Sequence, residues 1–485
     1  MHFRKLKMAS LLVAVLLLTA GHLAAQTSQS NQSTQARVSV DERSRQWDRN
    51  GDGRLTPDEV PGERLYKMLD KDGDGAVTQE EATTAVTRAG RSAATTTVAL
   101  PPAENFKPRA HGDEAKLAAL KPDVLAKIDV EMQRHVAAPD VAGIVALINR
   151  NGQIGYFEAF GFQDIEAAKP MPKAAIFRLQ SMTKPVIAVA ALTLLDEGKF
   201  TLDEPISKHL PEWKEPHVLQ DGKLVPARHA ITPRMLMSHS SGLYYGGIEG
   251  DALAGGGITR DANMSLASYS RELAKKPLKF HPGEGYSYGT SIDVLGRYIE
   301  AVSGKPLDEF LQERVLGPLK MTDTGFWVPK EKADRIAQLY RQSATGKLER
   351  GRSVQQITVK PTLFLGGQGL CSTADDYARF CQMLLNRGEL DGKRVLKSET
   401  VDLMFQDHLA VNATKYGQSG PGQKYGLGGA VDGEGRYAWG GANGTQFWID
   451  RTSNLYAIFM VQTQRYRSPA FNDFKRLTTA AIGEQ

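Results

Sequence analysis

Ser181 and Lys184 stand three residues apart in FRLQSMTKP, just ahead of the apolar run VIAVAALTLLDEG. Residues three apart on a helix share a face, so this spacing sets an amine beside a hydroxyl. A serine hydroxyl is inert until a neighbour takes its proton. A lysine can be that neighbour where burial and local charge bring its pKa towards neutrality. The helix N-terminus adds partial positive charge that favours a developing oxyanion, and Pro185 falls in the first turn, where its missing N–H costs least. Further on, GEGYSYGTSIDVLG puts Tyr288 on a turn ahead of a second helix. The stretch YAWGGANGT, from Tyr437 to Thr445, reads as a strand edge whose small residues let an acyl group lie close to backbone.

A competing nucleophile is Ser287, because GYSYG also fits G-x-S-x-G. That elbow needs a buried strand before it and a late histidine. The preceding KKPLKFHPGE lacks an apolar run, and His408 is the only histidine downstream. His239 and His281 read as loop histidines with hydrogen-bonding roles.

A second chemistry sits near the N-terminus. Asp48, Asn50, Asp52, Arg54, Thr56 and Glu59 occupy positions one, three, five, seven, nine and twelve of an EF-hand loop, with Gly53 at the sharp turn. Asp70, Asp72, Asp74, Ala76, Thr78 and Glu81 repeat the pattern, with Gly75 at its turn. Arg54 and Ala76 supply backbone carbonyls, as position seven requires. These residues predict Ca2+ binding. The Ser/Lys/Tyr motifs carry no zinc-type ligand set, and the catalytic chemistry calls for no cofactor.

The elements that must position these groups follow from patterning. Residues 1–25, a basic start, an apolar stretch from Ala9 to Ala20 and a small-residue exit at Ala24 and Ala25, have the layout of a secretory signal peptide. The apolar run is shorter than the ~18 residues of a spanning helix, so no stable membrane anchor is expected. An exported location, periplasmic or secreted, follows. Residues 26–40 read as a flexible leader, 41–83 as the EF-hand pair, 84–115 as a linker, and 116–485 as one large domain. Of the 485 residues 41% are hydrophobic and 24% charged, an ordinary globular balance. The net charge is +5, and removing Arg4, Lys5 and Lys7 with the leader brings it to +2, which makes no electrostatic case for nucleic acid.

Within the large domain the pattern predicts a helix from Leu117 to Val136. Two strands follow, VAGIVALINR and QIGYFEAFGF, joined at Asn151-Gly152, a strong hairpin signal. A helix-rich middle comes next, then the strands GRYAWGG, TQFWIDR and LYAIFMVQ. This order implies an α/β (α+β) fold, with a mainly antiparallel sheet flanked by helices beside a helical subdomain. Cys381 falls well inside a helix starting near Thr373. At ~1.5 Å per residue that holds it too far from Cys371 for a disulfide, so both are expected reduced.

Taken in order, FRLQSMTKP, MLMSHSSGL, YGTSIDVLG, GGQGLCSTADDYARF and AWGGANGT make residues 116–485 resemble the serine hydrolases of the class C β-lactamase and penicillin-binding-protein superfamily. Among these the chain is most similar to the family VIII carboxylesterases. The resemblance implies a β-lactamase/transpeptidase-like fold. It makes Ser181 the acylated nucleophile, Lys184 its base partner and Tyr288 the proton relay, with the backbone N–H groups of Ser181 and Ala442 as the oxyanion hole. Either Lys184 or Tyr288 can take the first proton. Two departures bear on substrate. Where β-lactamases carry Tyr-x-Asn this chain has Tyr288-Gly289-Thr290, and where they carry Lys-Thr-Gly it has Trp439-Gly440-Gly441. An indole cannot hold the carboxylate of a β-lactam or a peptide C-terminus. The expected substrate is therefore a small uncharged ester, with Trp439, Gly440 and Gly441 in the pocket wall. Tyr244, Tyr245 and Phe364 either line the same pocket or fill surface and core. Two rival readings keep the fold: a D-amino-acid peptidase or weak β-lactamase, and a calcium-dependent binding protein with a vestigial hydrolase domain.

Overall fold

The computed structural model describes residues 106–482 apart from 246–262, 344, 352–356, 417–423 and 465–468. Nearer the N-terminus it describes Asp48, Asp52, 54–57, Glu59, Tyr66, Asp70, Asp72, 74–78 and Glu81. The expected signal peptide and leader, together with Asn50 and Gly53, lie outside the described residues. The chain forms two compact units, 1–97 and 98–485.

In the first unit, Arg54–Leu55 pairs antiparallel with Val77–Thr78, setting Leu55 opposite Val77. These are the eighth positions of the two acidic loops. Both side chains are buried, as is Tyr66, so the loops share a small apolar centre.

From residue 106 the second unit is packed chain rather than free linker, and the helix expected over Leu117 to Val136 is two helices. Helix α1 (Asp113–Leu117) and helix α2 (Pro122–Ala137) are separated by Ala119, which adopts φ 51°, and by Leu120, which bridges to Ile482 near the C-terminus. Pro122 at the first position of α2 has no N–H to offer a preceding turn, which makes it a helix start and not an interior residue. Upstream, Phe106 packs edge-on against Phe160. The buried carboxylate of Asp129 accepts from the Arg109 backbone N–H at 3.0 Å and from the Tyr156 hydroxyl at 2.9 Å, and His111 Nε2 lies 3.0 Å from it. The stretch expected to be linker up to residue 115 is thus docked from residue 106 onward.

Strands β1 (Gly143–Arg150) and β2 (Gln153–Asp164) form the predicted hairpin. Asn151 and Gly152 take φ 55° and 76°, the left-handed pair that a two-residue turn needs to match strand twist. After β3 (Lys169–Pro170) and β4 (Phe177–Arg178) comes α3 (Thr183–Asp196). The helical middle supplies α4 (Ser291–Ser303), ended by Gly304 at φ 71°, and β5 (Cys371–Ser372) leads into α5 (Ala374–Leu385). Strands β6 (Lys424–Tyr425), β7 (Ala430–Val431), β8 (Tyr437–Gly440), β9 (Gln446–Asp450) and β10 (Leu455–Met460) then precede the C-terminal helix α6 (Pro469–Ala481). The main sheet runs β6-β7-β8-β9-β10-β1-β2-β3 with every neighbouring pair antiparallel.

Alternation along the central strands divides the core into two layers. Val145 and Leu147 of β1, with Ile458 and Met460 of β10, join α3, α4 and α5 in the larger cluster. Ile144, Ala146 and Ile148, with Ala457 and Phe459, face α2 and α6. Because both faces are covered, β1 is buried along its whole length. A fully buried aliphatic side chain of this kind contributes roughly 1.5–3 kcal/mol relative to exposure. Helix α3 is buried from Thr183 to Leu194 and, apart from Thr183, Lys184 and Thr193, apolar on every side there, the composition of a helix with no solvent face. Cys371 and Cys381 are buried free thiols, and burial pushes the Cys371 thiol up to about 12. Among the described residues no helix is long and apolar enough to cross a membrane.

Candidate active site

Ser181 lies in a single 3₁₀ turn (Gln180–Met182) that runs directly into α3. Gln180 takes φ 50°, a left-handed conformation uncommon for a residue with a side chain. Long-range bonds hold this turn in place. The Leu179 N–H donates to Leu370 O at 2.9 Å, and Leu179 O accepts from Thr445 Oγ1 at 3.0 Å. The Tyr377 hydroxyl donates to Met182 O at 3.0 Å, and Thr183 Oγ1 accepts from the Leu370 N–H at 3.1 Å. The Ser181 turn is thereby fixed to the residue just before β5, to α5 and to the β8–β9 turn.

Lys184, one helical turn on, is completely buried, while Ser181 keeps partial exposure. The Tyr288 hydroxyl donates to Ser181 Oγ at 2.6 Å. Lys184 Nζ lies 3.2 Å from Ser181 Oγ, 2.5 Å from the Tyr288 oxygen and 2.7 Å from the carbonyl oxygen of Gly367. Three groups separated by 107 residues of chain therefore form one hydrogen-bonded cluster open at Ser181. Such a cluster can move the serine proton to a neighbour and return it to a leaving group.

Tyr288 is held by rings. Its centroid lies 5.4 Å from Trp439, 4.9 Å from His239 and 5.5 Å from Tyr245. Trp439 also meets Tyr425 edge-on at 5.1 Å, so the indole joins an aromatic wall beside the cluster. Gly441 requires its lack of side chain: a Cβ there would fall 2.1 Å from Leu179 O and 2.3 Å from Thr445 Oγ1. That close approach brings the end of β8 against the residue two before Ser181. Gly440 is crowded in the same way by Gln446, and Ala442 follows as an exposed turn residue.

The structure thus brings Ser181, Lys184, Tyr288, Trp439 and the 440–442 turn together. Of the tyrosine pair, Tyr245 reaches the amine, its hydroxyl 3.5 Å from Lys184 Nζ, while the Tyr244 backbone packs against Gly289. Phe364 is buried in the larger core cluster. It packs on Phe326 with Lys360 Nζ 5.6 Å from its ring centre, and Gly367 of the same segment reaches Lys184 instead. Ser287 is buried in a three-residue strand (Gly285–Ser287) that pairs with Thr414–Tyr416, not in a strand-to-helix elbow. His281 is a loop histidine near Arg228 and Gln220. His239 is more than a loop residue, being fully buried beneath Tyr288. Its Nδ1 accepts from the Gly289 N–H at 3.4 Å, and burial, then the charge of Lys184, hold its imidazole well below the usual range. A neutral histidine there is packing for Tyr288. The phrase MLMSHSSGL was the only sign of it in the sequence.

In the N-terminal unit, carboxylate oxygens of Asp70, Asp72 and Asp74 lie within 4.8 Å of one another. Gly75 takes φ 90° at the sharp turn. The Glu81 carboxylate accepts from the Thr78 N–H at 2.9 Å, and Glu59 accepts from the Thr56 N–H at 3.0 Å. Asp48 Oδ1 accepts from the Asp52 N–H at 3.2 Å. This oxygen-only donor set fits a hard cation such as calcium.

Residues 128–481 match the Beta-lactamase family model, and the chain belongs to that family. Its fold is that of the β-lactamases and penicillin-binding proteins. An uncharacterized protein of Mycobacterium tuberculosis is 34% identical over 344 residues, covering 66% of this chain and 86% of its own. Esterase EstB of Burkholderia gladioli is 29% identical over 383 residues, covering 72% and 92%. Among solved structures, EstCE1, described as a hydrolase with promiscuous acyltransferase activity, is 28% identical with a TM-score of 0.64, covering 74% of this chain and 99% of that one.

Proposed function

We propose that this chain is a serine esterase of the family VIII type, acting on small uncharged carboxylic esters through an acyl-enzyme on Ser181. The observation that carries the reading is the Ser181–Lys184–Tyr288 cluster, with Trp439 in its wall where β-lactamases carry a cation. Its likeness to an esterase and to a hydrolase with acyltransferase activity points the same way. Ser181 Oγ attacks the ester carbonyl as its proton passes to Lys184 or Tyr288. The backbone N–H groups of Ser181 and Ala442 receive the oxyanion. The C–O bond to the alcohol then breaks, and Tyr288 returns the proton to the departing alkoxide. Water attacks the acyl-enzyme by the reverse route and regenerates Ser181. A donor aimed at an oxyanion is worth about 2.7–4 kcal/mol, so the fixed turn at Ser181 and the tight packing at Gly441 both serve the rate.

The N-terminal unit reads as a calcium-binding EF-hand pair. The side chains of Asp48, Asn50, Asp52, Thr56 and Glu59 and the backbone of Arg54 would hold one ion. Asp70, Asp72, Asp74, Thr78, Glu81 and the backbone of Ala76 would hold the other. We assign calcium a role in ordering that unit, not in turnover, and read the first 25 residues as an export signal. The test compares p-nitrophenyl acetate and butyrate with nitrocefin, using Ser181→Ala as control. The reading expects ester hydrolysis that disappears in the variant and exceeds nitrocefin turnover by ~10-fold or more in kcat/KM, the scale of one lost charge-assisted contact. Equal rates on both substrates would overturn the substrate assignment.

A further inference from the structure

We propose that Asp293 is a positioning residue for acylation, acting on the amine of Lys184 through Gly367. The inference rests on Ser181, Lys184 and Tyr288 being the reacting groups. Asp293 lies in the first turn of α4, five residues after Tyr288, and is only 1% exposed. Its Oδ1 accepts from the Gly367 N–H at 2.8 Å. The carbonyl of the same glycine accepts from Lys184 Nζ at 2.7 Å. Two hydrogen bonds on one residue thus connect a buried carboxylate to the amine.

The segment is shaped for this contact. A Cβ on Gly366 would sit 2.4 Å from Ile292 O, and one on Gly367 would sit 3.0 Å and 3.1 Å from the two Asp293 carboxylate oxygens and 3.1 Å from the Tyr245 hydroxyl. The glycine pair therefore lets the loop backbone lie directly on the start of α4. There the carboxylate holds the Gly367 N–H, which fixes where the Gly367 carbonyl points.

The chemical consequence follows from the donors available to an amine. A carbonyl oxygen can only accept, so it commits one Nζ–H of Lys184. With that hydrogen committed, the amine's remaining positions are left for the Tyr288 oxygen at 2.5 Å and Ser181 Oγ at 3.2 Å, with the Tyr245 hydroxyl more distant at 3.5 Å. Without the carbonyl, the amine can rotate among its neighbours. Small misplacements of a reacting group cost up to about 10²-fold in rate. The N–H and C=O of Gly367 belong to different peptide units, so Asp293 acts by placing the residue and not by polarising the carbonyl.

The test uses the full chain with p-nitrophenyl butyrate, measuring the acylation burst, KM, the rate of inactivation by an organophosphonate, and Tm. Asp293→Ala is expected to slow acylation and phosphonate inactivation by ~10- to 10²-fold, with KM within about twofold. Asp293→Asn keeps an acceptor for the Gly367 N–H and is expected to stay within about fivefold of wild type. Gly367→Ala, with Asp293 intact, is expected to fall as Asp293→Ala does, and keeps the proposal testable should the latter not fold. Acylation at wild-type rate in a folded Asp293→Ala or Gly367→Ala would overturn the proposal. So would equal losses in Asp293→Asn and Asp293→Ala, which would make the charge and not the placement decisive. If Ser181→Ala retains the wild-type burst, the underlying assignment of the nucleophile fails instead.

Discussion

Replacing Tyr288 by phenylalanine isolates one oxygen atom. The ring stays packed between Trp439 at 5.4 Å, His239 at 4.9 Å and Tyr245 at 5.5 Å, so the pocket wall keeps its shape. What is lost is the hydroxyl that stands 2.6 Å from Ser181 Oγ and 2.5 Å from Lys184 Nζ. A positioned acid–base group is worth about 10²- to 10⁴-fold in rate. Lys184 Nζ still lies 3.2 Å from Ser181 Oγ and can take the first proton by itself, though with longer geometry. The expected loss is therefore at the low end, ~10²- to 10³-fold in kcat, or about 2.7–4 kcal/mol at 1.36 kcal/mol per decade. Stopped-flow release of p-nitrophenol from the butyrate ester separates acylation from deacylation. Both phases should slow, since the relay serves each, while KM changes less than about threefold. A folded Tyr288→Phe enzyme within threefold of wild type in both phases would refute the relay.

Further expectations follow from other parts of the molecule. Asp129→Ala strands three donors around a buried site, His111, Tyr156 and the Arg109 N–H. It should cost about 3 kcal/mol in urea unfolding, and a cost below 1 kcal/mol would mean that the docked segment is not anchored there. A chain starting at residue 98 should fold and keep its esterase activity, whereas one starting at residue 113 should lose a similar amount of stability. His239 binds a proton more weakly folded than unfolded, because burial and then Lys184 oppose its charge. The unfolded state gains the proton as pH falls through ~6.5, so the stability present above that pH is lost below it. Asp376, which burial pushes up to about 6, works in the opposite direction, favouring the fold at low pH. Comparing wild type with His239→Gln cancels that contribution: the wild-type Tm should drop more steeply from pH 7 to 5, and parallel curves would count against a buried neutral histidine. Chelation by EDTA should lower the melting temperature of the N-terminal unit and leave ester turnover within about twofold, while loss of turnover restored by calcium would make the ion part of the enzyme's function.

The residues that meet at the candidate site were legible because their motifs are local. The Ser181/Lys184 spacing, Tyr288 on its turn and the Trp439-Gly440-Gly441 edge were each recognisable within a dozen residues. The hairpin at Asn151-Gly152 was legible for the same reason, since positive φ at both positions selects those residue types. Contacts made across the chain were not. Gly367 contributes a backbone carbonyl, which no residue type announces, and it meets Lys184 183 residues away. His239 looked like a loop histidine because its aromatic cage is assembled from residues up to Tyr425 and includes none of its immediate neighbours. The stretch FKPRAHGD has the composition of a linker, yet His111 and the Arg109 backbone find Asp129 about twenty residues on. Helix periodicity likewise ran through the break at Ala119, where the bridge from Leu120 to Ile482 decides the chain's course. Phe364, which sequence left open between pocket, surface and core, is packed in the core.

Ser181 is the residue we expect to be acylated. Inactivation with a fluorescent organophosphonate, followed by peptide mass spectrometry, reads it directly, because the phosphorus stays on the oxygen that attacked. The partly exposed Ser181, with its hydroxyl contacted by Tyr288 and Lys184, should carry the adduct in a one-to-one ratio, and Ser181→Ala should carry none. An adduct on the buried Ser287, or undiminished labelling of Ser181→Ala, would overturn the assignment of Ser181 as nucleophile.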